Sequence, residues 1–289
     1  MALYFMINLT SKRLTHLSLG SSFLATAGGF PLDQKLNKLQ ELSRIFSLRL
    51  ADADDLQDND FCCAISGIGS TKEIKSADFG SALRLGITAA EQITGQKIKA
   101  IIPGEVGIEN IIFEIAGLLN LPVLDADTAG RRAVPEMTHD TFFIAGESIL
   151  PCVLVTLDGQ TEVMARPGQE LLVEQKAREK AVASVAKTAL IFSHIKKVSL
   201  LKKIIALKSL SLSLQVGRIL KTKNFNLINK RLKTLLGGKF IGGGRVMAVN
   251  QKNNQGFLLG EITLKTESGI PLTLIIKNEA LAILKNNKI

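Results

Sequence analysis

Apolar and polar positions along the chain follow two periodicities that change near residue 60. Residues 14–26 carry apolar side chains at helical spacing and stop at Gly28 and Gly29, where the backbone can adopt conformations closed to other residues. A second helix is expected over residues 32–50, after Pro31, from the spacing of Leu36, Leu39, Leu42, Ile45 and Phe46. The acidic stretch 52–60 then reads as a surface turn.

From Phe61 onward short apolar runs are each followed by a loop and an amphipathic stretch. Residues 61–65, 99–102 and 122–124 are strand candidates; glycine-bearing loops follow the first two, leading into helices over 77–94 and 109–119, and the third leads into Asp125. Strands alternating with helices imply parallel crossovers, so the loops after these strands emerge at one edge of the sheet, where open α/β sheets bind ligands. Helices that begin at such loops aim unpaired N–H groups and partial positive charge at the same edge. The competing reading of each glycine is a tight turn alone.

Further strands are expected at 142–144 and at 152–157, the latter turning at Asp158 and Gly159 into 162–165. A helix rich in Ala, Lys and Glu is expected over 170–192, followed by a basic, partly helical segment over 194–233. Period-two alternation returns in 245–250, 256–265 and 272–276, with turns at Asn253-Asn254 and Ser268-Gly269, which describes a small antiparallel unit. The expected fold is therefore α/β, with a mainly parallel sheet and flanking helices in residues 1–165. A basic helical segment and a smaller C-terminal antiparallel β domain occupy 166–289.

Charge sharpens that division. Residues 1–165 hold 13 Lys and Arg against 20 Asp and Glu, whereas 166–289 hold 23 against 6. A basic half admits an anionic-surface or nucleic-acid partner held by salt-sensitive attraction. With no Trp and one Tyr, the chain lacks a base-stacking platform, which argues against nucleic acid. The apolar stretch 198–220 is interrupted by Lys202, Lys203, Lys208 and Arg218, so it falls short of the roughly 18 uninterrupted apolar residues of a spanning helix. A surface-lying helix or a buried helix with outward lysines both fit it. Cys62, Cys63 and Cys152 form no disulfide framework, and the first residues lack the order of a signal peptide. Both points suggest a reducing, cytoplasmic setting.

Candidate chemistry concentrates in residues 104–110 and 125–136. Asp125 and Asp127 follow an apolar strand at the ligand edge, and closely placed acids push their pKa values apart, which supplies an acid and a base at neutral pH. Arg131 and Arg132 can fold back onto carboxylates or hold an anionic substrate. A turn with solvated ion pairs is the alternative. Glu105 lies in the loop after the second strand; Asn110 can cap the next helix or face the cleft, and Glu109 can serve as a first-turn acid. No metal site is legible, although Glu136, His139 and Asp140 lie close enough to offer one or two ligands. No nucleotide or flavin motif occurs: the glycines at 237–238 and 242–244 precede a strand, do not match a phosphate loop and read as a hinge.

The run Asp125-Ala126-Asp127, with Arg132-Ala133-Val134-Pro135-Glu136 after it, resembles the signature of the S-methyl thiohydantoin desulfurase family. Glu105-Val106-Gly107-Ile108-Glu109-Asn110 resembles that family's E-x-G-x-x-N loop, Leu121 to Asp127 its G-L-P-V-x-D-x-D stretch, Ala25 to Gly29 its early glycine segment, and Asn278-Glu279 its late N-E pair. The resemblance implies an α/β domain joined to a β-barrel-like domain. It also implies hydrolysis of a C–S bond that turns an S-methyl thiohydantoin into a hydantoin and methanethiol. By this analogy Asp125, Asp127 and Glu136 carry acid–base work or organise the site. Glu105, Asn110, Arg132, Gly28 and Gly29 position a small-molecule substrate. A ligand-binding relative without catalysis is the next reading, and a homo-oligomer is compatible with either.

Overall fold

The structure, a computed structural model, describes residues 6–26, 28–69, 79–130, 136–254 and 257–286. Arg131 and Arg132 fall outside them. The chain opens with β1 (Ile7–Asn8), α1 (Ser11–Leu24), α2 (Leu32–Ile45) and β2 (Arg49–Ala51), then β3 (Phe61–Gly69), α3 (Gly80–Thr94), β4 (Ile98–Pro103) and α4 (Glu109–Leu119). Next come β5 (Val123–Leu124), β6 (Ala126–Asp127), α5 (Thr141–Ala145), β7 (Cys152–Thr156), β8 (Thr161–Met164) and α6 (Glu170–Ala183). The second half supplies β9 (Thr188–Lys197), α7 (Val198–Ile204), β10 (Ala206–Leu207), α8 (Ser209–Leu220) and α9 (Phe225–Leu236). It ends with β11 (Gly244–Asn254), β12 (Phe257–Thr266), β13 (Pro271–Lys277) and β14 (Glu279–Lys285).

Eight strands form the central sheet in the order β1-β2-β5-β4-β3-β9-β7-β8. The crossover strands β2, β5, β4 and β3 run parallel, and β9, β7 and β8 continue antiparallel from β3. Alternation along β3 shows why both faces are covered. Cys63 and Ile65 pack with Leu14, Leu39, Leu83 and Phe113 on one side, while Cys62 and Ala64 pack with Phe142, Val173 and Val198 on the other. All three cysteines are free and buried, and burial pushes the Cys62 thiol up to about 12, so they serve as core.

Four expectations are corrected. The second helix ends at Ile45, because Phe46 turns extended and the alternating Leu48 and Leu50 then feed β2. Residues 142–144 are helical: the Asp140 side chain accepts from Phe142 N at 2.8 Å and caps α5, which buries Phe142 and leaves Ile144 outside. The helix expected over 170–192 stops at Ala183. Ser184 Oγ accepts from Thr188 N at 3.2 Å, and residues 188–195 become the buried strand between β3 and β7. At the C-terminus Asn253 and Asn254 belong to β11, and a fourth strand, β14, follows β13. These four strands form an open antiparallel meander, and among the described residues no ladder joins β11 to β14.

No described helix is long and apolar enough to cross a membrane. Instead α8 crosses α1 with the backbones in contact: a Cβ on Gly20 would sit 1.7 Å from Ser213 O, and one on Gly217 would sit 1.8 Å from His16 O. Gly217→Ala is expected to force these helices apart and to destabilise the protein by about 1–3 kcal/mol in denaturant titration. Gly238→Ala, where a Cβ meets nothing within 4 Å, is expected to leave the midpoint unchanged.

Candidate functional site

The loop after β4 is laced to both of its neighbours. Gly104 N donates to Ile65 O at 2.8 Å, and Gly104 O accepts from Thr128 N at 3.2 Å and from Thr128 Oγ1 at 3.0 Å. Glu105 and Asp127 are thereby brought to one place at the C-terminal edge of the parallel strands. Gly107, at φ 112°, turns the chain toward α4, and its N–H donates to Glu109 Oε1 at 2.7 Å. Phe30 N donates to Gly107 O at 3.1 Å, and Gly29, at φ 74°, has no room for a Cβ beside Gly107. This joins the Gly28–Gly29 segment to the same edge.

Behind the loop lies a buried ion pair. Lys35 Nζ stands 3.3 Å from Glu109 Oε2, with the two side chains 0% and 1% exposed. Ser21 Oγ accepts from Lys35 at 2.7 Å and donates to Glu109 Oε2 at 3.0 Å. Glu109 is thus a structural counter-ion rather than a simple first-turn acid.

Glu279 enters from the C-terminal sheet. Asn278 takes a left-handed turn at φ 60° and exchanges two hydrogen bonds with Leu258, while Ala280 N donates to Thr26 O at 2.7 Å. A Cβ on Gly28 would lie 3.0 Å from Glu279 Oε1, so the glycine leaves room for this carboxyl. Glu279 Oε2 and Asn110 Oδ1 are buried acceptors with no hydrogen-bond partner among the described residues.

Three carboxyls in this region are raised, and the charges of Asp127 and Glu279 both act on Glu105, while Arg178 and Lys277 partly offset the rise at Glu279. Burial, with the nearby charges of Glu279, Asp127 and Glu109, raises Glu105 to about 8. Burial raises Glu279 to about 7. Burial also raises Asp127, but the backbone N–H of Gly130, which donates to its Oδ1, restrains it at about 6. The Ser209 hydroxyl lies close enough to help hold that anion, yet outside hydrogen-bonding geometry. Asp127 opens on a cavity of about 520 Å³, whose other walls come from α1, the loop after β4, β10 with α8, the end of α9 and Ala280. That size suits a small organic ligand.

Of the residues expected from the sequence, Glu105, Asp127, Gly28 and Gly29 are gathered here, and Asn110 lies buried in the first turn of α4. Asp125 turns away from the cavity: its Oδ1 accepts from Ser211 N at 2.8 Å and caps α8. The chain leaves the central sheet after Leu124, and β6 pairs with β10 in a separate ribbon, so the two aspartates do not share a face. Glu136 lies at the surface in an ion pair with Lys277, which holds its carboxyl below the usual range. Arg132 lies outside the described residues.

Glu279 was visible in the sequence only as half of an N-E pair, and the walls from α8 and α9 had no signal beyond apolar residues in a basic segment. Among the described residues no cluster of three His, Cys, Asp or Glu side chains is arranged to hold a metal. Near His139, Asp140 is engaged by Phe142 N and by His194 Nε2 at 3.1 Å, and His194 Nδ1 meets Ser193 Oγ at 2.8 Å. Although serine, histidine and aspartate are in series there, His194 is 1% exposed, so the chain of bonds braces the core.

Comparison with known proteins agrees with this architecture. A crystal structure of a protein from Chromobacterium violaceum superposes with a TM-score of 0.78 over 97% of this chain and 77% of that chain, at 21% identity, which is a likeness of fold. No curated protein matches. The family model described as S-Me-THD-like, N-terminal domain, matches residues 12–166, and the S-Me-THD-like, C-terminal domain, matches residues 169–289. Matched along both halves, the chain belongs to the S-methyl thiohydantoin desulfurase family.

Proposed function

We propose that the protein hydrolyses the C–S bond of a small S-methyl thiohydantoin-type ring. The observation that carries this reading is Asp127 on the wall of a cavity of ligand size, with Glu105 in the loop tied to Thr128 and within reach of its charge, the two carboxyls held about two pKa units apart, at about 6 and about 8. Near neutral pH Asp127 is largely ionised and Glu105 largely protonated, which is the division of labour that a base and an acid require. Asp127 takes a proton from water as the oxygen attacks the ring carbon bearing sulfur. Glu105 delivers a proton to the adjacent ring nitrogen as the C=N bond becomes C–N. Collapse to the carbonyl breaks the C–S bond, and methanethiol leaves with the proton held by Asp127, while the new hydroxyl's proton restores Glu105. Water and substrate are thus converted to hydantoin and methanethiol.

In this assignment Asp127 keeps the role expected from the sequence, Glu105 moves from positioning to acid, and Glu279 supports the protonated state of Glu105 by its nearby charge.

Assay of thiol release from S-methyl thiohydantoins is expected to give a bell-shaped pH profile. Activity rises as Asp127 ionises at about 6 and falls as Glu105 loses its proton at about 8. Absence of thiol release from every ring offered overturns the hydrolase reading. Asp127→Asn and Glu105→Gln are each expected to lower kcat by about 10²–10⁴-fold. Asp125→Asn keeps an oxygen for Ser211 N, and Glu136→Gln loses only a surface ion pair, so both are expected to stay within a few-fold of the parent.

Stability gives an assay-free check. The folded-state value of Glu105, about 8, lies above the ordinary 4.5, so the native state binds its proton more tightly and loses stability as pH rises between those values. Glu105→Gln is therefore expected to raise Tm, by more at about pH 8 than at about pH 5. An equal shift at both would show that Glu105 titrates normally.

A further inference from the structure

The cavity beside Asp127 is two-sided, and only one side is accounted for by ring chemistry. Facing the polar side, Phe23 and Leu24 from the end of α1, Leu207 from β10, Leu212 from α8 and Leu236 from α9 line the same space. Phe23 is 44% exposed and Leu207 42% exposed, so both leave apolar surface uncovered at the cavity. These residues converge from four separate elements. The glycine crossing at Gly20 and Gly217 sets α8 directly against α1, and Leu212 of α8 and Phe23 of α1 both line the cavity. A cavity of about 520 Å³ exceeds what a bare five-membered ring fills, and these side chains are part of its lining.

Resting on the hydrolase reading for the identity of the ring, we propose that this wall is a subsite for an apolar substituent, so that the protein selects rings carrying a branched alkyl or aryl group on the carbon beside the carbonyl. With the reacting carbon at Asp127 and Glu105, the substituent projects onto Phe23, Leu207 and Leu212, and its transfer from water adds to transition-state binding. A carboxyalkyl substituent placed there would lose its hydration against apolar surface, and Lys208, the cation that also lines the cavity, is already paired with Asp52.

The test compares S-methyl thiohydantoins bearing no substituent, isobutyl, benzyl or carboxymethyl, by thiol release and, in parallel, the corresponding hydantoins by calorimetric binding. The expected result is a kcat/KM for the isobutyl and benzyl rings on the order of tenfold or more above the unsubstituted ring, with the carboxymethyl ring lowest. Phe23→Ala and Leu207→Asn, both at exposed positions that a fold tolerates, are expected to bring the isobutyl-to-unsubstituted ratio toward one. Leu171→Ala, an exposed apolar residue of α6 outside this wall, is expected to keep it. Thiol release without preference, or with preference for the carboxymethyl ring, overturns the subsite and leaves the hydrolase reading standing. Tighter binding of the isobutyl and benzyl hydantoins without thiol release from any ring supports the subsite and overturns the hydrolase reading. Neither binding nor turnover of any ring overturns both.

Discussion

The site depends on the buried ion pair between Lys35 and Glu109. Two charges out of water are tolerated only when their remaining hydrogen-bonding capacity is used, and here Ser21 bridges them while Glu109 also accepts from Gly107 N. Lys35 comes from α2, Ser21 from α1 and Glu109 from α4, so one interaction fixes three helices and the turn that aims Glu105. A neutral residue at 109 would leave the Lys35 ammonium buried alone and the Gly107 turn without its acceptor. Because Glu109 is committed to Lys35, the causes that act on Glu105 are burial and the neighbouring acids, which favour its proton.

The two halves of opposite charge meet one another before they meet any partner. Lys202 reaches Asp54 at 3.1 Å and Asp58 at 3.4 Å, Lys208 pairs with Asp52, Lys180 reaches Glu162 at 3.0 Å, and Lys277 pairs with Glu136. Each is partly exposed and contributes little alone. Together they place part of the basic second half against the acidic first half, so the charge asymmetry of the sequence is in part an internal complementarity. It is weaker support for an external anion than the count of lysines suggests.

The crossover units were legible because apolar runs, turn signals and amphipathic helices came in order, and the ligand edge followed from that order. The strand Thr188–Lys197 was hidden because an Ala- and Lys-rich helix runs into an apolar stretch without a glycine or proline between them, and only the Ser184 cap marks the change. Residues 142–144 look like a strand when Phe142 and Phe143 are read as neighbours in a β run. The Asp140 cap decides otherwise. Asp125 and Asp127 were equivalent in sequence, two positions apart after the same strand, and were separated by a tertiary event, the pairing of β6 with β10. Glu279 lies well over a hundred residues from Glu105, so periodicity could not join them, and the family's N-E pair was the one local sign.

Glu279 is carried by the first residue of the final strand, and Ala280 is bonded back to Thr26. The C-terminal sheet therefore contributes a wall, at Ala280, to a pocket that Asp127 of the middle of the chain also lines, and Glu279 adds a nearby charge. Detachment of that sheet removes the group that most supports, after burial, the protonated state of Glu105, and it also opens the pocket to water. Opening of β14 away from Thr26 and exposure of this pocket are thus coupled in one local unfolding event.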